Sequence, residues 1–206
     1  MTHIPAHPTN YRAGRTREID HIGLHYTAGD GDTAENNGRY FAGENRNASS
    51  HYFVDEEGWI LSVREEDTAW HAGNWDMNCR SIGVELCSRK DKNGKYFIPD
   101  ETLQQGKILL RELIARYKIP ESRFLRHYDV TGKLCPMPMV EDEGLWRRYK
   151  EEIYSRNEPS SWAKEACDWA LARGLILGDG QGNFLWQEPV TREQLMTILH
   201  RFHQTF

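Results

Sequence analysis

The chain has 206 residues, 38% of them hydrophobic, and a net charge of -5 from 26 basic and 31 acidic side chains. That is enough for one sizeable core with a small appendage. The mixed, slightly acidic charge excludes nucleic acid as the main partner, because phosphate binding needs a basic face.

The opening "MTHIPAHPTNYRAG" lacks the apolar core of a signal peptide, so synthesis in the cytoplasm is expected. No apolar run approaches the roughly 20 residues that span a bilayer. "REIDHIGLHYTAG" predicts a strand over 19–26, broken by Gly29, Asp30, Gly31 and Asp32. A helix is expected over 33–42. "SSHYFVDEEGWILSVRE" predicts a hairpin, with strands over 51–54 and 59–63 around a turn at 55–58. "RSIGVELC" reads as another short strand. Next comes a helix capped by Asp100 after Pro99, with Leu103, Leu110, Leu113, Ile114 and Tyr117 at helical spacing and Pro120 ending it. "SRFLRHY" predicts a strand and "EDEGLWRRYKEEIYSR" a helix. The alternation implies a mixed α/β fold, a central sheet flanked by helices.

"RNEPSS" reads as a linker after a first domain of residues 1–155. Residues 156–206 form a small helical module with two helical patterns. The first carries Trp162, Ala166, Trp169 and Ala170. The second starts at Thr191, whose hydroxyl pairs with Gln194 as a capping box. The loop between them, "GLILGDGQGNF", lacks the Lys-Ser/Thr ending of a phosphate loop. The four cysteines, Cys79, Cys87, Cys135 and Cys167, show no disulfide framework and are expected to be reduced.

One of them sits in a suggestive context. "RHYDVTGKLCP" sets His127 upstream of Cys135, with Lys133 between. A third ligand completes a zinc site with a position open for water, as a hydrolase needs. His25, at the end of the first strand, is the best candidate. Gly23 leaves room on its face of that strand. "SIGVELC" repeats the device, with Gly83 and Glu85 on one face and Ile82, Val84 and Leu86 on the other. A lone carboxylate in an apolar strand is costly unless a cation lies nearby. Glu85 then suits a general base, and Lys133 an oxyanion partner.

Taken in order, "HYTA", "SSHYFVDEEG", "WHAGN", "IGVELC" and "RHYDVTGKLCP" resemble the zinc N-acetylmuramoyl-L-alanine amidases, whose fold is shared by phage endolysins, autolysins and peptidoglycan recognition proteins. The resemblance runs from about residue 4 to 154. It implies that His25, His127 and Cys135 bind zinc, that Glu85 is the catalytic acid/base and that Lys133 assists. It also implies cleavage of the bond between N-acetylmuramic acid and L-alanine of the peptidoglycan stem, as by an endolysin released to the cell wall. Some members carry a catalytic tyrosine where this chain has Ser50. His71, in "WHAGN", is expected to line the substrate groove, and His51 to be packed and hydrogen-bonded. Trp75 suits sugar stacking as well as ordinary packing. Two rival readings are a non-catalytic peptidoglycan-binding protein, which the cysteine ligand disfavours, and an amidase recycling soluble muropeptides inside the cell.

Residues 160–206, with "WALARGLILGDGQGNF" and "PVTREQLMTILHRF", resemble a single S-layer homology motif. That implies binding to a secondary cell-wall polymer. Roughly 40 residues bury little alone, so self-association is the other expectation.

Overall fold

In a computed structural model, the described residues are 2–154, 159–178, 184, 186 and 189–205. They fall into two compact units, Met1–Tyr149 and Lys150–Phe206.

In the first unit the strands are β1 (Thr2–His3), β2 (Tyr11–Arg12), β3 (His21–Tyr26), β4 (Tyr52–Val54), β5 (Trp59–Leu61), β6 (Thr68–Ala69), β7 (Ser81–Leu86), β8 (Arg89–Lys90), β9 (Tyr96–Phe97) and β10 (Phe124–Arg126). Its helices are α1 (Ala34–Gly43), α2 (Trp75–Arg80), α3 (Asp100–Tyr117), α4 (His127–Thr131) and α5 (Met137–Glu141), and α6 (Glu143–Tyr154) runs on into the second unit. A six-stranded sheet has the order β1-β5-β4-β7-β3-β10. It is mixed: β4 and β5 form the antiparallel hairpin, and the other neighbours run parallel.

The sheet is covered on both faces, and β3 (HIGLHY) and β7 (SIGVEL) alternate between a wholly apolar side and a side of glycines and polar residues. Ile22, Leu24, Ile82, Val84 and Leu86 are fully buried. The helix α3 packs on the Leu86 face, where its Gly106 approaches the Leu86 side chain, and it buries Leu109, Leu110 and Leu113. On the opposite face α1 packs Ala34 and Phe41 against Phe53 and Ile60. Phe53 pairs with Glu85, and residues paired across neighbouring strands point to the same side. This second face therefore carries the polar residues picked out by the sequence.

Local signals explain the boundaries. Thr33 caps α1 by accepting from the Asn36 N–H at 3.1 Å. Pro99, not Asp100, is the cap position of α3, and Asp100 is its first helical residue, where its charge favours the helix dipole. That helix ends at left-handed Lys118, two residues before Pro120. The strand expected to include His127 stops at Arg126. There the Asp129 carboxylate accepts the Arg126 N–H at 2.8 Å and starts α4 at once.

In the second unit are α7 (Lys164–Ala172) and α8 (Arg192–Thr205). The expected capping box is present: the Thr191 N–H donates to Gln194 at 2.8 Å, and the Gln194 N–H donates to Thr191 Oγ1 at 3.1 Å. Much of the expected linker (156–158) and of the glycine loop (179–183) lies outside the described residues. All four cysteines are free; Cys79, Cys87 and Cys135 are buried, whereas Cys167 is only partly so.

Leu110 is completely buried in α3. Leu110→Ala is expected to cost about 2–5 kcal/mol, the lost transfer energy plus a cavity. Urea unfolding checks this, and a loss under 1 kcal/mol contradicts the packing described.

Candidate active site

Parallel pairing of β3 with β7 sets His25 beside Glu85 and Gly23 beside Gly83. From β10, the next strand, the chain turns directly into α4, which places His127 at the helix start. A left-handed turn at Gly132 (φ 78°) then reverses it. The Tyr128 N–H donates to the Cys135 carbonyl at 2.9 Å, so Cys135 returns beside His127.

The three side chains expected to act together do converge. His25 Nδ1 lies 3.1 Å from His127 Nδ1 and 3.7 Å from Cys135 Sγ, and all three residues are buried. The Tyr26 backbone N–H also points to the thiol. Around a tetrahedral zinc, with bonds of about 2.0–2.1 Å to nitrogen and about 2.3 Å to sulfur, donor–donor edges are about 3.3 and 3.6 Å. The donor set and the two spacings from His25 therefore fit a zinc ion, and all three ligand atoms lie within 4.8 Å of one another.

A cavity of about 530 Å³ opens over this cluster. Glu85 and Lys133 line it, with Tyr40, Phe41, Trp70 and Asn37 among the other walls. Glu85 Oε2 is buried with no hydrogen-bond partner among the described residues. Burial pushes the Glu85 carboxyl up to about 8; Lys133 works against this shift and Asp32 adds to it. Burial likewise raises the Cys135 thiol to about 12.

Ser50 is buried where some relatives of the resembled family carry tyrosine, and it does not line the cavity. His71 borders the cavity, but its ring also lies over Gly23 and Gly83 and meets His25 Nε2 at 2.9 Å. Trp75 is half exposed at the start of α2, beneath the Arg12 guanidinium, and is not among the cavity walls. His51 is packed as expected: its Nδ1 accepts the Gly83 N–H at 2.9 Å. Sequence reasoning missed the aromatic wall of Tyr40, Phe41 and Trp70, since no spacing rule links residues brought together by α1 and a loop.

Burial holds His25 and His51 well below the usual histidine value of 6.5, His71 at about 3 and His127 at about 4. In metal-free protein, the unfolded chain thus takes up protons below pH 6.5 that the folded chain refuses. The histidine contribution is intact above that pH and falls on acidification, by up to about 1.4 kcal/mol per pH unit for each histidine. Glu85, with its raised value, acts oppositely, one group against four. Urea midpoints in chelator are expected to drop clearly between about pH 7 and about pH 5; equal midpoints contradict buried neutral imidazoles.

The profile of the N-acetylmuramoyl-L-alanine amidases matches residues 15–138, and that of the S-layer homology domain matches residues 157–196. The N-acetylmuramoyl-L-alanine amidase CwlL of Bacillus licheniformis is 34% identical over 177 residues, covering 77% of this chain and 48% of CwlL. The chain spans about half the length of these curated relatives. A solved structure of PlyL is 28% identical with a TM-score of 0.64, covering 74% of this chain and 96% of that one. A mutant endolysin from Bacillus subtilis is 25% identical with a TM-score of 0.61, covering 74% and 99%. The match to more than half of its residues establishes that this chain belongs to the N-acetylmuramoyl-L-alanine amidase family.

Proposed function

We propose that this chain is a zinc-dependent peptidoglycan amidase of endolysin type, cutting the amide between N-acetylmuramic acid and the L-alanine of the stem peptide. One observation carries the reading: His25, His127 and Cys135 converge in the same cavity as a buried, unpartnered carboxylate oxygen of Glu85.

His25, His127 and Cys135 would hold the ion, which when bound supplies Lewis acidity and acidifies water. Glu85 does the proton work. A carboxyl held near neutrality releases and accepts protons readily at physiological pH. Its free Oε2 takes the proton of the attacking water and hands it to the departing alanine nitrogen. Lys133, exposed at the cavity rim, brings a cation to the negative charge that develops on the carbonyl oxygen. The walls suit an amphipathic substrate. Tyr40, Phe41 and Trp70 offer apolar faces, and Asn37 and Ser49 offer polar groups.

For the second unit we propose wall attachment, through a secondary cell-wall polymer or through self-association. Trp162, Leu195, Met196 and Leu199 are exposed on or beside α7 and α8. An apolar surface of this kind on a small unit favours a partner.

Three variants test the catalytic reading. Cys135→Ser is expected to lose zinc and activity while staying folded. Glu85→Gln is expected to keep zinc and lose roughly 10²–10⁴-fold in rate. Lys133→Ala is expected to lose roughly 10²–10³-fold. Full zinc occupancy in the first, or near-normal turnover in the second, sinks the assignment. Truncation after Arg156 tests the second unit: cleavage of a soluble muropeptide should survive while wall binding or oligomeric state changes. Unchanged binding and oligomeric state rule out an attachment role.

A further inference from the structure

Beneath the candidate metal ligands lies a chain of buried polar groups that proton removal from water does not use. His25 Nε2 is 2.9 Å from His71 Nδ1, and His71 Nε2 is 3.1 Å from Ser81 Oγ. The Ser81 hydroxyl in turn donates to the backbone carbonyl of Met77. His25, His71 and Ser81 are all buried.

The direction of this chain follows from its far end. A carbonyl only accepts, so the single hydroxyl proton of Ser81 is committed to Met77. Ser81 Oγ must therefore accept from the His71 Nε2–H. A neutral imidazole with its proton on Nε2 has a bare Nδ1, which accepts from the His25 Nε2–H. His25 is then left with a lone pair on Nδ1, the atom that faces His127 and Cys135. We infer that His71 is the positioning residue for the metal centre, fixing both the ring orientation and the tautomer of His25 that a metal requires.

The sheet is shaped for this ring. A Cβ on Gly83 would lie 2.6 Å from His71 Cγ, and one on Gly23 would lie 3.1 Å from His71 Cε1. Two neighbouring glycines on β3 and β7 thus open a slot that a single imidazole fills. Two backbone N–H groups also hold the segment: those of His71 and Ala72 both donate to Asn78 Oδ1, at 3.0 and 2.8 Å. His71 is consequently held by its backbone as well as by its ring.

The inference rests on the zinc reading above, and the experiment separates the two. Zinc dissociation constants are measured by chelator competition for the full chain and for His71→Ala, His71→Asn and Ser81→Ala. Cobalt(II) absorption spectra are recorded on each. His71→Ala is expected to bind zinc roughly 10–100-fold more weakly, the usual effect of losing such an outer partner, with an altered cobalt ligand-field band. His71→Asn, whose amide oxygen can accept from the His25 Nε2–H, is expected to recover part of the affinity. Ser81→Ala, which keeps the His71 ring but frees its tautomer, should fall between His71→Ala and the unsubstituted chain. Affinity within twofold and an unchanged cobalt spectrum in His71→Ala overturn the inference. Where that variant does not fold, unsubstituted affinity in Ser81→Ala overturns it instead. If the unsubstituted chain itself binds no zinc, the metal reading fails first.

Discussion

Two parallel strands, β3 and β7, run in a register that sets glycine beside glycine and, two residues on, His25 beside Glu85. Slipping either strand by one residue sends His25 or Glu85 to the α3 face, into the apolar layer of Leu24, Val84 and Leu86. The register is held by that layer, because fully buried aliphatic side chains tolerate no such exchange. Core packing and site geometry are thus one constraint. The strands that form the center of the sheet also determine which side of it carries chemistry.

That constraint creates an electrostatic problem whose answer defines the site. The Glu85 side chain borders the cavity but its Oε2 is buried, which pushes the carboxyl toward its neutral form, and Lys133 only partly offsets this. Several imidazoles beside it are held neutral by the same burial. A cation held by two imidazoles and a thiolate would make the ionised carboxylate favourable and would use the lone pairs that burial leaves bare. The polar groups over β3 and β7 are thus poor structural filler and well suited to a metal centre.

The sequence made some parts of this legible. Alternation in β3 and β7 announced both strands and separated their two faces, because side chains alternate with period two. The capping box at Thr191 and Gln194 announced α8 for an equally local reason. His25, His127 and Cys135 are legible from strand position and from motif order, and the structure brings them together. Other features depended on tertiary contacts that spacing does not encode. His127 starts a helix rather than ending a strand, because the Asp129 carboxylate captures the Arg126 N–H. His71 was expected in the groove, and its second contact, beneath His25, becomes visible only once Gly23 and Gly83 are adjacent. Trp75, singled out as an aromatic beside "WHAGN", lies apart from the cavity walls, which draw on α1 instead.

The proposed function requires one ion among His25, His127 and Cys135, with Glu85 left free to move protons. Anomalous diffraction at the zinc edge, on crystals of the full chain grown with zinc, tests it most directly. One strong peak is expected at about 2.0–2.3 Å from His25 Nδ1, His127 Nδ1 and Cys135 Sγ, with the Glu85 carboxylate near but outside bonding distance. A peak bonded to Glu85 in place of one of these donors, or no peak at the cluster, would contradict it.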